Sequence, residues 1–416
     1  MSDIIVGLDV GTSNVRVVAA AYTEEGSLQI IGVGTSPSTG GLRKGVVIQT
    51  ELTKQAIIDA VEKAELMSGH EISDCYIAIG GTQIESTNQQ GFVSVENQGG
   101  EITDSDIKRV IESACSIPIP PDRRILHVLP YTYMVDGVDG IKDPRSMIAW
   151  RLETEVLIVT AAYTTTNTLV TSINQAGYKV DGLMLKILAT SRSVITKDER
   201  ELGSILIDLG GGTTDVIVFA DDAPVYTCSI PVGGQMVTND IMIVKGITFD
   251  ISEKIKIKAG CCWEEYIDED EEVLIPGVGG RPPEAIPRKE LCGIIQPRME
   301  EIFNLVNDKI QMQTSTKKIA AKNIILCGGG SLMPGVVELA AQVFGTSAVR
   351  IGNPIKMGGM IEECYSPEFA TATGIVLSFA EEVKKQPEKK HYSSMETKQN
   401  NGGILKKLGD YIKEFF

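Results

Sequence analysis

In a chain of 416 residues, no uncharged apolar run reaches the roughly 18 residues that a membrane-spanning helix needs. The start carries no cationic segment followed by an apolar core, so secretion is not expected and the bulk is expected in the cytoplasm. Eight cysteines include no C-x-x-C pair, and the only close two are the neighbours Cys261 and Cys262. Reduced, mostly buried thiols are therefore expected, in place of disulfides or a metal site. The three histidines, His70, His127 and His391, lie far apart and offer no ligand cluster in sequence. A formal net charge of -16 repels nucleic-acid phosphates, and no basic stripe with interleaved aromatics overrides it; no nucleic-acid partner is expected. G-x-x-x-x-G-K-[ST] and a strand-linked G-x-G-x-x-G are both missing, which excludes a P-loop and a dinucleotide-binding fold.

What is present is a globular composition, 43% apolar and 23% charged, long enough for two or more domains with real cores. The N-terminus reads "IIVGLDVGTSNVRVVAAAY": a β-rich run, a Gly11-Thr12-Ser13 turn and a returning apolar run, a hairpin reached through Asp9. "SILIDLGGGTTDVIVFAD" repeats the design, with Asp208 near a strand end, Gly210 to Thr214 as the turn, and Val216 to Phe219 running back. One such hairpin fits an ordinary steric turn; two matching ones indicate internal duplication. Glycines let backbone N–H groups approach phosphate oxygens, hydroxyls add donors, and each aspartate can hold a hydrated Mg²⁺. A third element, "KNIILCGGGSLMPGVVELAAQVFG", runs from a strand through Gly328, Gly329 and Gly330 to a helix opened near Pro334. Its bare backbone can carry a flat ring.

The three elements together resemble the superfamily of actin, Hsp70 chaperones and sugar kinases, in which two related domains close on ATP. Finer stretches are similar to one bacterial cell-division family, FtsA: "RRILHVLPYTYMVDGVDGIKDPRSM", "SIPVGGQMVTNDI", "VGGRPPEAIPR", "IIQPRMEEIFNLVNDKI" and "VRIGNP", in the family's order along nearly the whole chain. The resemblance implies an α/β, actin-like two-domain fold. Its duplicated mixed-sheet halves flank a nucleotide cleft, with an FtsA-type inserted subdomain and a C-terminal amphipathic helix. Residues 1–81 and 163–195 would form the first half, interrupted by the insert at 82–162. Residues 196–245 and 323–383 would form the second, interrupted by 246–322. Position by position, it implies that Asp9 and Asp208 order Mg²⁺ through water. Gly11, Thr12 and Ser13, with Gly210, Gly211, Gly212, Thr213 and Thr214, would contact phosphates. Glu253 would hold the ribose with Lys256 nearby, and Gly329 and Gly330 would floor the adenosine. Asn14 departs from the pattern, because many relatives carry lysine there; Arg16 shares its strand face.

Hydrolysis needs a residue that aligns water behind the γ-phosphate. The segment before the second hairpin, Ile187 to Val194, has neither carboxylate nor glutamine, and Asp198, Glu199 and Glu201 read as a solvated turn. ATP binding with slow or absent turnover is expected. Arg281 and Arg298 match positions that, in FtsA, receive the acidic C-terminal peptide of FtsZ; arginine's fork suits carboxylates, although surface salt bridges would use it equally. Residues 384–403 are polar and read as a disordered tether with a reach of about 25 Å. In 404–416, Ile404, Leu405, Leu408, Ile412, Phe415 and Phe416 recur at helical spacing. From Lys384 on, eight lysines stand against four acidic residues, a balance suited to an anionic membrane surface. The resemblance thus implies an ATP-binding protein that polymerises and tethers FtsZ filaments at the division site, on the cytoplasmic face of the cell membrane, alongside later division proteins. A pilus-assembly relative and a sugar-kinase-type enzyme are the rival readings.

Overall fold

The computed structural model describes residues 4–314 and 323–385, except positions 98, 278, 280 and 281. Two five-stranded sheets form the frame, with the same strand order. In the first, Ile5–Val10, Asn14–Tyr22 and Leu28–Pro37 make an antiparallel meander, and Asp74–Ile79 and Lys179–Leu185 add in parallel beside Ile5–Val10. In the second, Ser204–Leu209, Thr214–Ala220 and Ala223–Ile230 make the meander, with Asn323–Cys327 and Val349–Ile351 added in parallel. Both first strands are buried along their whole length. They therefore read as continuous apolar runs, each broken by one aspartate, as strands covered on both faces do.

Between the second and third parallel-side elements of the first half lies an antiparallel four-stranded sheet: Val138–Ile141, Arg123–Val135, Arg151–Ala162 and Ile84–Ser94 in spatial order. One helix, Asp104–Ala114, covers it. Thr103 accepts from the Asp106 amide while the Asp106 side chain takes the Thr103 amide, a reciprocal cap that satisfies two orphan donors. Ile107, Val110, Ile111 and Ala114 recur at helical spacing and are all buried against Val128, Leu152 and Val156. The module grips both halves. Ser86 and Asn88 donate to the Thr227 and Val225 carbonyls of the second sheet. On the other side, the buried His127 Nε2 accepts the Leu185 amide at 2.9 Å.

Two helices tie the halves together. Lys186–Val194 crosses Ala370–Lys385, with Thr190 and Thr371 hydroxyls 2.9 Å apart and Ser193 Oγ donating to the Ala370 carbonyl. The latter helix continues two residues into the stretch assigned to the tether, since Lys384 and Lys385 are good helix formers. The acidic stretch read as a turn is the short helix Lys197–Leu202, capped by Thr196; Glu199 completes the cap and also receives the Arg350 fork at 2.6 and 2.7 Å. The six apolar residues of 404–416 lie outside the described residues. Among those described, no helix is long and apolar enough to cross a membrane.

Burial depresses His127 from 6.5 to about 4, so it stays neutral and accepts. The unfolded chain then binds one more proton than the folded one between these two values. Stability is full above pH 6.5 and falls with acidification by up to about 1.4 kcal/mol per pH unit. His127→Gln keeps an acceptor without that titration, so its melting temperature is expected to fall less between pH 6.5 and 4 than the parent's. Parallel melting curves across this window would remove His127 from the acid response.

Candidate functional site

The two hairpins close by the same bond: Gly11 N–H to Asn14 O and Gly210 N–H to Thr213 O, each 3.0 Å. Their tips meet across the halves. A Cβ on Gly211 would stand 2.1 Å from Ser13 Oγ, and one on Gly212 2.7 Å from Thr12 Oγ1, so a side chain at either glycine would displace a facing hydroxyl. Behind the tips, register places Asp9 opposite Arg16 in one hairpin and Asp208 opposite Asp215 in the other. The duplication is thus exact in backbone and broken in charge, a cation in one half where an anion stands in the other.

Asp9, Asp208 and Asp215 are all buried, and Lys186, first residue of its helix, lies among them. Its Nζ is 3.4 Å from Asp9 Oδ1 and 3.9 Å from Asp208 Oδ2. Burial alone would lower the ammonium's pKa, but the charges of Asp9, Asp208 and Asp215 outweigh it and hold Lys186 protonated. Burial, opposed by Lys186 and reinforced by Asp215 and Asp9, pushes the Asp208 carboxyl up to about 6. Sequence reasoning passed over Lys186. Its signal was there to see: a single charge inside the apolar run "GLMLKILA", where a buried lysine requires a partner.

A cleft of about 310 Å³ opens in front of these groups. Asp9, Gly11, Thr12, Ser13, Asp208, Gly210, Gly211, Glu253, Lys256, Gly329 and Gly330 all line it. Gly212, Thr213 and Thr214 lie behind the lining: Thr213 Oγ1 donates to Asp215 and Thr214 Oγ1 to the Val232 carbonyl, so these hydroxyls shape the hairpin. On the far wall, Lys256 donates to Glu253 at 2.7 Å, to Thr238 Oγ1 at 2.9 Å and to the Gly234 carbonyl at 3.2 Å. Arg16 pairs with Glu368 and sits over the Phe369 ring. Arg298 stands apart from the cleft and binds Asp240 through Nε at 2.6 Å and Nη2 at 3.1 Å; Arg281 lies outside the described residues.

Asp9 and Asp208 suit a magnesium ion that would be held through water and shared with nucleotide phosphates, which needs only one or two protein carboxylates. Among the described residues no three histidine, cysteine or carboxylate groups converge as direct ligands, and the ammonium of Lys186 lies near the two aspartates assigned to the metal. Asp9 Oδ1 is buried without a hydrogen-bond partner, which leaves it dependent on that cation.

Paired five-stranded sheets of one topology, facing hairpins and a cleft between them define an actin-like protein. Solved structures agree on the fold. The PilM-PilN type IV pilus biogenesis complex matches with a TM-score of 0.66 at 16% identity, covering 90% of this chain and 97% of that one. MreB5 of Spiroplasma citri bound to ADP matches with a TM-score of 0.52 at 14% identity, over 93% and 98%. Sequence comparison is more specific. The family model "Cell division protein FtsA" matches residues 205–374, and "SHS2 domain inserted in FTSA" matches 81–160. Cell division protein FtsA of Borreliella burgdorferi is 41% identical over 415 residues, 100% of this chain and 99% of that protein. Those of Pseudomonas aeruginosa and Escherichia coli are 37% and 34% identical, covering 90% and 99% of the chain and 88% and 98% of their own lengths. The chain belongs to the FtsA family of cell division proteins, and its four-stranded module is the family's SHS2 insert.

Gly328 sets how close the third loop comes to the floor. Its φ is +77°, and a Cβ there would lie 2.2 Å from Asp208 Oδ1. Gly328→Ala is expected to cost roughly 2–4 kcal/mol in urea unfolding. Gly329→Ala meets only the flexible end of Glu368 at 3.2 Å and is expected to cost much less. Equal losses for the two variants would count against this loop geometry.

Proposed function

We propose that this protein binds ATP in the cleft, polymerises through its actin-like body, and couples FtsZ filaments to the cytoplasmic face of the cell membrane through residues 404–416. The carrying observation is the tip-to-tip approach of Gly211 and Gly212 to Ser13 and Thr12. It brings two glycine-bearing turns together at one end of the cleft, and successive amides of such turns are what anions select. Nucleotide-bound actin-like neighbours, MreB5 with ADP and with AMPPNP, support the ligand class through the fold.

Turnover is slow or absent in this reading. Of the helix Lys186–Val194, only Lys186 lines the cleft, and a protonated ammonium cannot serve as a base. Arg298 and Arg281 receive the FtsZ peptide, whose carboxylates exchange with Asp240 for the Arg298 fork. The terminal helix binds an anionic surface weakly as one copy and firmly as many, because a filament raises the effective concentration of its neighbours.

Ser13→Asp places a carboxylate at the first turn, against arriving phosphates. Fluorescent-ATP affinity is expected to fall about tenfold or more in protein whose circular dichroism shows the fold intact; unchanged affinity would remove the phosphate assignment.

Changing Phe415 and Phe416 both to glutamate removes two apolar anchors and adds like charge against an anionic leaflet. Pelleting with phosphatidylglycerol-containing liposomes is expected to collapse while thermal stability and ATP binding persist. A loss of melting temperature with pelleting intact would show that these residues dock on the protein's own body.

A further inference from the structure

One ion pair joins two walls of the cleft. Arg16 comes from the returning strand of the first hairpin, and Glu368 from the turn Pro367–Phe369 that leads into the helix Ala370–Lys385. Both line the cavity, as do the hairpin turns and Gly329. The Glu368 carboxylate lies over Gly329, since a Cβ added to that glycine would stand 3.2 Å from Glu368 Oε1. It therefore covers the bare backbone that the nucleotide reading assigns to adenosine. Arg16 is only partly satisfied by the pair. Its Nη2 donates to Glu368 and its guanidinium lies 5.6 Å from the Phe369 ring centroid, but its Nε is buried without a hydrogen-bond partner. A guanidinium carries five N–H donors in a fork, and an orphaned donor is costly in a side chain only 12% exposed.

We propose that the Arg16–Glu368 pair is a strap across the cleft that nucleotide opens by exchange: phosphate oxygens take the Arg16 fork, and the freed Glu368 leaves the face of Gly329. The inference rests on the nucleotide reading above and deepens it, by naming the contact that the site gives up on binding. Relative strengths favour the exchange. Glu368 keeps 31% of its side chain exposed, and ion pairs in such positions are individually worth little. Hydrogen bonds from guanidinium to phosphate are charge-assisted and often bidentate, and a triphosphate brings more negative charge than one carboxylate. Glu368, once released, can turn to water. The broken charge symmetry of the hairpins then has a role, because the cation opposite Asp9 is the group that answers the ligand.

Fluorescent-ATP titration of the full chain tests this through a double-mutant cycle. Glu368→Gln removes the rival carboxylate and is expected to lower Kd about threefold or more, whereas Arg16→Gln is expected to raise it about tenfold. With Arg16→Gln in place, Glu368→Gln is expected to change Kd by less than about twofold, because an unpaired Glu368 turns to solvent and is screened there. An equal gain from Glu368→Gln in both backgrounds overturns the exchange and leaves only general repulsion of phosphates. An Arg16→Gln protein with the parent's Kd overturns it as well. Should Arg16→Gln not fold, Glu368→Gln decides alone: a Kd equal to the parent's or higher means that Glu368 does not compete for Arg16. A parent that binds no ATP has a different meaning, since it overturns the nucleotide reading itself and this inference with it.

Discussion

Asp9, Asp208 and Asp215 reach one floor from two separate sheets, and none of the three is exposed to water that could screen it. Like charges so placed repel, and the halves could not close on them without a cation in their midst. Lys186 is that cation. Much of the architecture serves to put it there. The strand Lys179–Leu185 carries it to the floor, His127 of the insert takes the amide next to it, and the crossing helices fix its direction. The insert is therefore coupled to the cleft through the hydrogen bond that the Leu185 amide donates to a neutral imidazole.

The polar contacts that join the elements of this fold are of two kinds. Buried ones, the Thr190–Thr371 pair and the His127 bond, are shielded from solvent and costly to leave unmade. Rim ion pairs such as Arg16 with Glu368 and Arg350 with Glu199 are partly exposed and individually worth little. Such a division leaves the helix crossing as a fixed axis, while the rim pairs can exchange partners at small cost. Arg298 belongs with the second kind. Its pairing with Asp240 keeps the fork ordered, and it lies one residue from Met299, which lines the cleft. The helix Arg288–Thr314 thus touches both the nucleotide site and the proposed partner site.

Much of this protein was legible in its sequence. The two Asp-Gly-rich turns determined both hairpins and their equivalence, because only glycine-bearing turns between β-rich runs fit such text. The reciprocal Thr103–Asp106 cap and the buried face of its helix are equally local, since caps and periodicity act over three to four residues. Local chemistry fixes what local chemistry can. The tertiary structure alone decided which charges meet. It set Lys186 between aspartates from both halves, Arg16 on Glu368, Glu199 in the Arg350 fork rather than in solvent, and Thr213 and Thr214 behind the cleft wall. These residues are brought together by sheet order and by the crossing of two helices, across separations that no spacing rule spans. An electrostatic partner is a matter of distance in space, and the sequence encodes that distance only through the whole fold.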